Sequence, residues 1–114
     1  MSQPESKLSR AILTALRKEG VFCFKFHGGP LTMVGVPDII ACVDGRFVGI
    51  ETKMPAKRKN VSPAQRRIHE LIVQAGGVAV VVCGVREALG IVHELRIAPG
   101  APPVRAIIQE DTAS

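Results

Sequence analysis

The sequence predicts an α/β fold, a mixed central sheet flanked by helices in the order αβββαβα. Three observations carry that prediction. Three segments place apolar residues at helical spacing. An Asp44-Gly45 pair stands between two runs that read as strands. A wholly apolar run, Val78-Ala79-Val80-Val81-Val82-Cys83, follows the second helical segment after Gly76-Gly77, the pattern of a strand buried on both faces.

The first helix is expected from about Pro4 to Lys18, with Leu8, Ala11, Ile12, Ala15 and Leu16 as its apolar face. Gly20 ends it. Val21-Phe22-Cys23-Phe24-Lys25-Phe26 is rich in aromatic residues and reads as a strand. From His27 to Val36 the glycines and Pro30 mark a loop. Pro37–Val43 and Arg46–Lys53 form the next two strands, and Met54–Val61 a basic loop. Ser62-Pro63-Ala64-Gln65 starts the second helix, with a cap serine, proline at the first helical position and glutamine at the third. Its buried stripe is expected at Ile68, Leu71, Ile72 and Ala75. Val78–Cys83 is expected as a central strand, then a helix from about Val85 to Leu95 with Val85, Ala88, Leu89 and Val92 inward. Past Arg96 the periodicity dissolves into Pro99-Gly100-Ala101-Pro102-Pro103. The expected division is a folded domain over 1–96 and a Pro-rich extension over 97–114, partly disordered or an interface.

The hairpin fixes a chemical arrangement. A type I′ turn needs positive φ at both central positions, which Asp-Gly supplies. With Asp44 and Gly45 in the turn, Val43 pairs with Arg46, Ala41 with Val48, and Asp38 falls opposite Glu51. Opposed residues have Cβ atoms roughly 4.5–5.5 Å apart, where two carboxylates repel. Lys53, two residues on, projects from the same face as Glu51. A hard divalent cation held between the carboxylates resolves the repulsion. The competing reading is a solvated strand end, with Glu51 paired to a neighbouring cation.

At 114 residues the chain is one domain with a modest core. The start, Met1 to Lys7, lacks a signal-peptide pattern, and no stretch is long enough to cross a bilayer. A cytoplasmic protein, without membrane partners, is therefore expected. Cys23, Cys42 and Cys83 are odd in number and lack C-x-x-C spacing, which argues for reduced thiols rather than a disulfide frame or zinc. His27, His69 and His93 show no ligand spacing. The net charge is +5, and Lys53, Lys57, Arg58, Lys59, Arg66 and Arg67 occur without an acidic residue between Glu51 and Glu70. Such clusters are often plain solvated faces, but this one starts at the acidic site and suits a polyanion. Lys57, Arg58, Lys59, Arg66 and Arg67 are the candidate phosphate contacts. The absence of Tyr and Trp argues against a base-stacking platform.

Gly35-Val36-Pro37-Asp38, then Glu51-Thr52-Lys53, then Ser62-Pro63-Ala64-Gln65 together resemble the PD-(D/E)xK nuclease superfamily, and within it the VRR-NUC family of phage and repair nucleases. The resemblance spans roughly Glu5 to Leu95. It implies a restriction-endonuclease-like core and DNA phosphodiester hydrolysis with Mg2+ or Mn2+. It also implies a homodimer acting on branched DNA such as Holliday junctions, in a bacterial or phage-infected cell. By that resemblance Asp38 and Glu51 are metal-binding carboxylates and the Thr52 carbonyl a further ligand. Lys53 orients water or stabilises charge, Glu5 matches the first helix's acidic residue and would be a further metal ligand, and Gln65 matches the glutamine of the following helix. Glu5 and Gln65 each have a second reading, since Ser2-x-x-Glu5 and Ser62-x-x-Gln65 are also capping boxes. An archaeal-type Holliday junction resolvase, or a nucleic-acid-binding module without catalysis, remain alternatives. Val104, Ile107 and Ile108 are the expected interface material, unless they cover their own core.

Overall fold

The computed structural model describes residues 4–97. The order is α1 (Pro4–Lys18), β1 (Phe22–Lys25), β2 (Ile39–Val43), β3 (Arg46–Thr52), a 3₁₀ turn (Pro55–Lys57), α2 (Pro63–Gln74), β4 (Val78–Val82) and α3 (Val85–Ile97). The expected αβββαβα order is therefore present. The Pro-rich extension and Val104, Ile107 and Ile108 lie outside the described residues.

The sheet order is β1-β2-β3-β4. β1, β2 and β3 pair antiparallel, and β4 joins β3 in parallel. Asp44 and Gly45 adopt φ of 49° and 81°, and Val43 partners Arg46 while Ala41 partners Val48. Turn chemistry thus set the register. The ladder runs to Ile39↔Ile50, and one further step brings Asp38 level with Glu51.

The core fills one side of the sheet. Ile39, Ala41, Val43, Val48 and Ile50 are buried there against Ile12, Leu13 and Leu16 of α1 and Ala88, Ile91, Val92 and Leu95 of α3. The other side carries α2, whose Ile72 lies over Gly49. All five residues of β4 are buried, as the apolar run predicts. Yet β4 ends the sheet order among the described residues rather than running through its centre. Helices on both faces bury the strand without a neighbour on each edge.

Two helix faces differ from expectation. In α1 the buried residues are Ser9, Ile12, Leu13 and Leu16, while Ala11 is exposed. A face with Leu13 buries more apolar area than one with two alanines, and it turns Ser9 inward to Thr52. In α2 only His69 is fully buried. Ile68 and Ile72 are half-buried, and Leu71 and Ala75 face solvent. Of the expected stripe, Ile72 packs on the sheet over Gly49, while Leu71 and Ala75 lie on the flank of α2.

Candidate active site

The end of β3, the approach to β2 and the start of α2 meet at one rim of the sheet. The approach is fixed by Gly35, at φ 93°. A Cβ there would collide with the backbone of Ala64 and Gln65. Only glycine lets this loop press against the first turn of α2. Pro37 then leads into Asp38.

Asp38 Oδ2 accepts two hydrogen bonds from Thr52, one from its amide at 3.0 Å and one from its hydroxyl at 2.7 Å. The Ser9 hydroxyl lies 2.8 Å from the same Thr52 oxygen. Since Thr52 gives its proton to Asp38, Ser9 donates to Thr52. α1 is thereby tied to the rim, and Asp38 is held by one carboxyl oxygen.

Glu51 is 3% exposed. Its Oε2 accepts a hydrogen bond from Gln65 Nε2 at 3.1 Å, with Lys53 Nζ 3.9 Å away. Its Oε1 is buried with no partner. Burial, reinforced by the Asp38 charge, pushes the Glu51 pKa up to about 8, with Lys53 only partly opposing it. Without a cation, Glu51 holds a proton at neutral pH. A buried carboxyl oxygen lacking any partner calls for an ion or water. The oxygen donors present suit a hard divalent cation that keeps several of its waters.

The structure brings Asp38, Glu51, Lys53 and Gln65 together. Glu5, in the first turn of α1, lies near enough for its charge to raise the Glu51 pKa slightly. Among the described residues, however, no three acidic, histidine or cysteine side chains come close enough to share one ion. Gln65 makes contacts on both sides. Its Oε1 accepts from the Ser62 amide at 2.9 Å, completing a capping box, while its Nε2 serves Glu51.

The expected phosphate contacts divide. Lys57, Lys59 and Arg67 are exposed, and Arg66 is half-buried. Arg58 donates to Glu87 Oε2 at 2.6 Å and to the Val81 carbonyl at 3.5 Å, and Glu87 in turn accepts from the Cys83 amide. Arg58 fastens the basic loop to β4 and α3.

Sequence reasoning missed two residues. Ser9 supports Thr52, and His69 is 2% exposed with both ring nitrogens unpartnered. Burial, with the Arg66 charge, lowers the His69 pKa to about 4, so the ring is neutral. Each stands four residues after a residue singled out in the sequence, Glu5 and Gln65. That spacing places it on the same helix face.

No protein-family model matches the chain, and no curated protein does either. Among solved structures, it is similar to Hjc, a Holliday junction resolvase from the archaeal hyperthermophile Archaeoglobus fulgidus. The two share 25% identity over 67% of this chain, with a TM-score of 0.51. The match spans 64% of the Hjc chain, just under two thirds of its length. The mixed sheet with flanking helices is thus a restriction-endonuclease-like fold. The structural neighbour is a nuclease of the PD-(D/E)xK superfamily. No helix among the described residues is long and apolar enough to cross a membrane.

Proposed function

We infer that this protein is a divalent-metal-dependent endonuclease that hydrolyses DNA phosphodiester bonds at branched structures such as Holliday junctions. One observation carries the reading: a buried Glu51 with an unpartnered oxygen, set beside Asp38 and Lys53. A purely structural site has no use for an orphaned carboxyl oxygen whose ionisation costs this much. Similarity to a Holliday junction resolvase supports the substrate class. The order of Gly35-Val36-Pro37-Asp38, Glu51-Thr52-Lys53 and Gln65 supports placement in the VRR-NUC family. A homodimer in the cytoplasm of a bacterial or phage-infected cell completes the reading.

Asp38 and Glu51 would hold Mg2+ or Mn2+, with the Thr52 carbonyl as a further ligand. Such an ion lowers the pKa of bound water and neutralises charge on phosphate oxygens. The chain's own groups do the rest. Gln65 fixes the Glu51 carboxyl, leaving Oε1 free, and Thr52 fixes Asp38 through Oδ2. Lys53, its Nζ 3.9 Å from Glu51, orients the nucleophile and stabilises developing negative charge. Lys57, Lys59, Arg66 and Arg67 follow the DNA backbone, which gives affinity without base preference.

The archaeal-type resolvase reading shares this chemistry and differs in junction choice. A non-catalytic binding module would retain DNA affinity without cleavage. Incubation with labelled four-way junction, flap and linear duplex, with Mg2+, Mn2+ or EDTA, separates the readings. Cleavage of the branched substrates with metal alone is expected. Tight junction binding with no cleavage under any metal would establish the binding module instead.

A further inference from the structure

Under α2 the fold buries two polar side chains and leaves atoms of both without partners. Glu51 is 3% exposed and His69 2%. Among the described residues, the buried side-chain polar atoms that lack a hydrogen bond are Glu51 Oε1 and the two ring nitrogens of His69. The other buried polar side chains, Ser9 and Thr52, bond to one another on the α1 side of the sheet. A phenylalanine would fill the place of His69 without stranding two polar nitrogens.

Helix and sheet together place His69 beside Glu51. It stands four residues after Gln65, one turn along the same face of α2. Gln65 reaches Glu51 Oε2, and Ile72, three residues beyond His69, packs on Gly49. Gly49 and Glu51 are two residues apart on β3 and point to the same side. His69 thus lies between the group above Glu51 and the group above Gly49. Charge agrees with that position. Asp38 is level with Glu51, and Lys53 Nζ lies 3.9 Å from Glu51 Oε2. Both charges act on the His69 ring. Glu51 and His69 nevertheless share no direct hydrogen bond.

We propose that His69 is a positioning residue for the metal site: its ring N–H, through one buried water, holds Glu51 Oε1 and keeps that oxygen aimed at the cation. This deepens the function proposed above and rests on that reading for the cation itself. The chemistry of the groups closes. The ring is neutral, so one nitrogen donates and the other accepts. The water accepts from the ring N–H and donates to Oε1, as ordered waters do between buried polar groups. A carboxylate oxygen has two lone-pair sites, so the water takes one and leaves the other to the ion. The accepting nitrogen keeps its lone pair in the positive field of Arg66 and Lys53. Gln65 and His69 then grip both oxygens of one carboxyl from successive turns of α2, which fixes its plane as well as its place. A neutral ring serves this role, since an imidazolium would repel the incoming cation.

Calorimetric titration of the metal-free full chain with Mn2+, without DNA and at one pH, tests the arrangement. His69→Phe keeps the ring's bulk and removes the donor; His69→Gln restores an N–H. Partners that orient a metal ligand are worth about 10–100-fold in affinity, so His69→Phe should bind Mn2+ at least about tenfold more weakly. Its melting temperature in EDTA should equal or exceed that of the wild type, because no polar atom is stranded. His69→Gln should recover most of the affinity. Unchanged Mn2+ affinity in His69→Phe overturns the proposal. So does an equal loss in both variants, which would make ring packing the cause. A crystal structure of the metal-free wild type decides the matter even where a variant does not fold: an ordered water within hydrogen-bond distance of both a His69 nitrogen and Glu51 Oε1 is expected, and a His69 without one overturns the proposal. A wild type that binds no Mn2+ removes the metal reading and this proposal with it, a result distinct from equal binding by wild type and His69→Phe. Cleavage is scored separately: Mn2+ binding that depends on His69 in a protein that cuts no DNA removes the proposed nuclease and leaves this arrangement standing, and wild-type cleavage and metal affinity in His69→Phe do the reverse.

Discussion

Gln65 joins helix capping to the acidic site: its Oε1 closes the first turn of α2 on Ser62 while its Nε2 holds Glu51 Oε2 at 3.1 Å. The two functions separate by substitution. Gln65→Glu keeps the capping acceptor but replaces the donor with a second carboxylate against Glu51. Losing a hydrogen bond to a charged or buried group costs about 1.5–3 kcal/mol. We expect cleavage to fall by at least tenfold while helix content is kept. A fully active, equally stable Gln65→Glu protein would reduce Gln65 to a cap.

Asp38 and Glu51 should respond oppositely to neutralisation. Asp38→Ala leaves the Thr52 amide and hydroxyl without their acceptor, a loss of about 1–3 kcal/mol. Glu51→Gln removes a carboxyl that is costly to ionise and keeps its shape, so metal-free stability at pH 8 should rise. Both should abolish cleavage. Urea melts of the two variants check the sign, and equal destabilisation would contradict the described hydrogen bonding.

The metal-free protein should show a pH signature. Glu51 is raised from 4.5 to about 8, so the folded state binds a proton that the unfolded state has released. Its contribution is complete below pH 4.5 and is lost as pH climbs through about 8. His69 is lowered from 6.5 to about 4. Its neutral burial is favourable above 6.5 and is lost as pH falls through about 4. Between 4.5 and 6.5 the two slopes cancel, and above 6.5 Glu51 alone acts. Stability should therefore hold level and then decline towards pH 8, with a limiting slope of about 1.4 kcal/mol per pH unit. Thermal melts in EDTA across this range test it, and Glu51→Gln should lose the decline above 6.5.

Divalent ions should reverse that decline. Mg2+ or Mn2+ at pH 8 should raise the melting temperature, since an ion that binds only the folded state stabilises it by mass action. The shift should shrink at pH 6, where the Glu51 proton competes, and vanish in Glu51→Gln. An equal shift in that variant would move the metal elsewhere.

The basic loop should divide by function. Replacing Lys57 and Lys59 by alanine should lower junction affinity and flatten its salt dependence by about one unit for each phosphate no longer neutralised. Stability should be unchanged, as both are exposed. Arg58→Ala should instead destabilise by about 1 kcal/mol, because the half-exposed Arg58–Glu87 pair anchors the loop. An unchanged melt for Arg58→Ala would free that side chain for DNA.

The hairpin, its register and the juxtaposition of Asp38 with Glu51 were all legible in the sequence. They follow from positive φ at Asp44 and Gly45 and from strict alternation along a strand, both local properties of the chain. Gln65 was legible too, because capping is a contact across three residues. Long-range packing, by contrast, dictates that Leu13 rather than Ala11 enters the core and that His69 rather than Leu71 lies beneath α2. It also withdraws Arg58 into an ion pair with Glu87 and seals Glu51 from solvent with Gln65, fourteen residues away. Apolar periodicity shows that a helix has a buried face but locates it only to within about one residue of rotation. The final rotation, and with it the solvent exclusion that raises the Glu51 pKa, depends on which distant surfaces the helix meets.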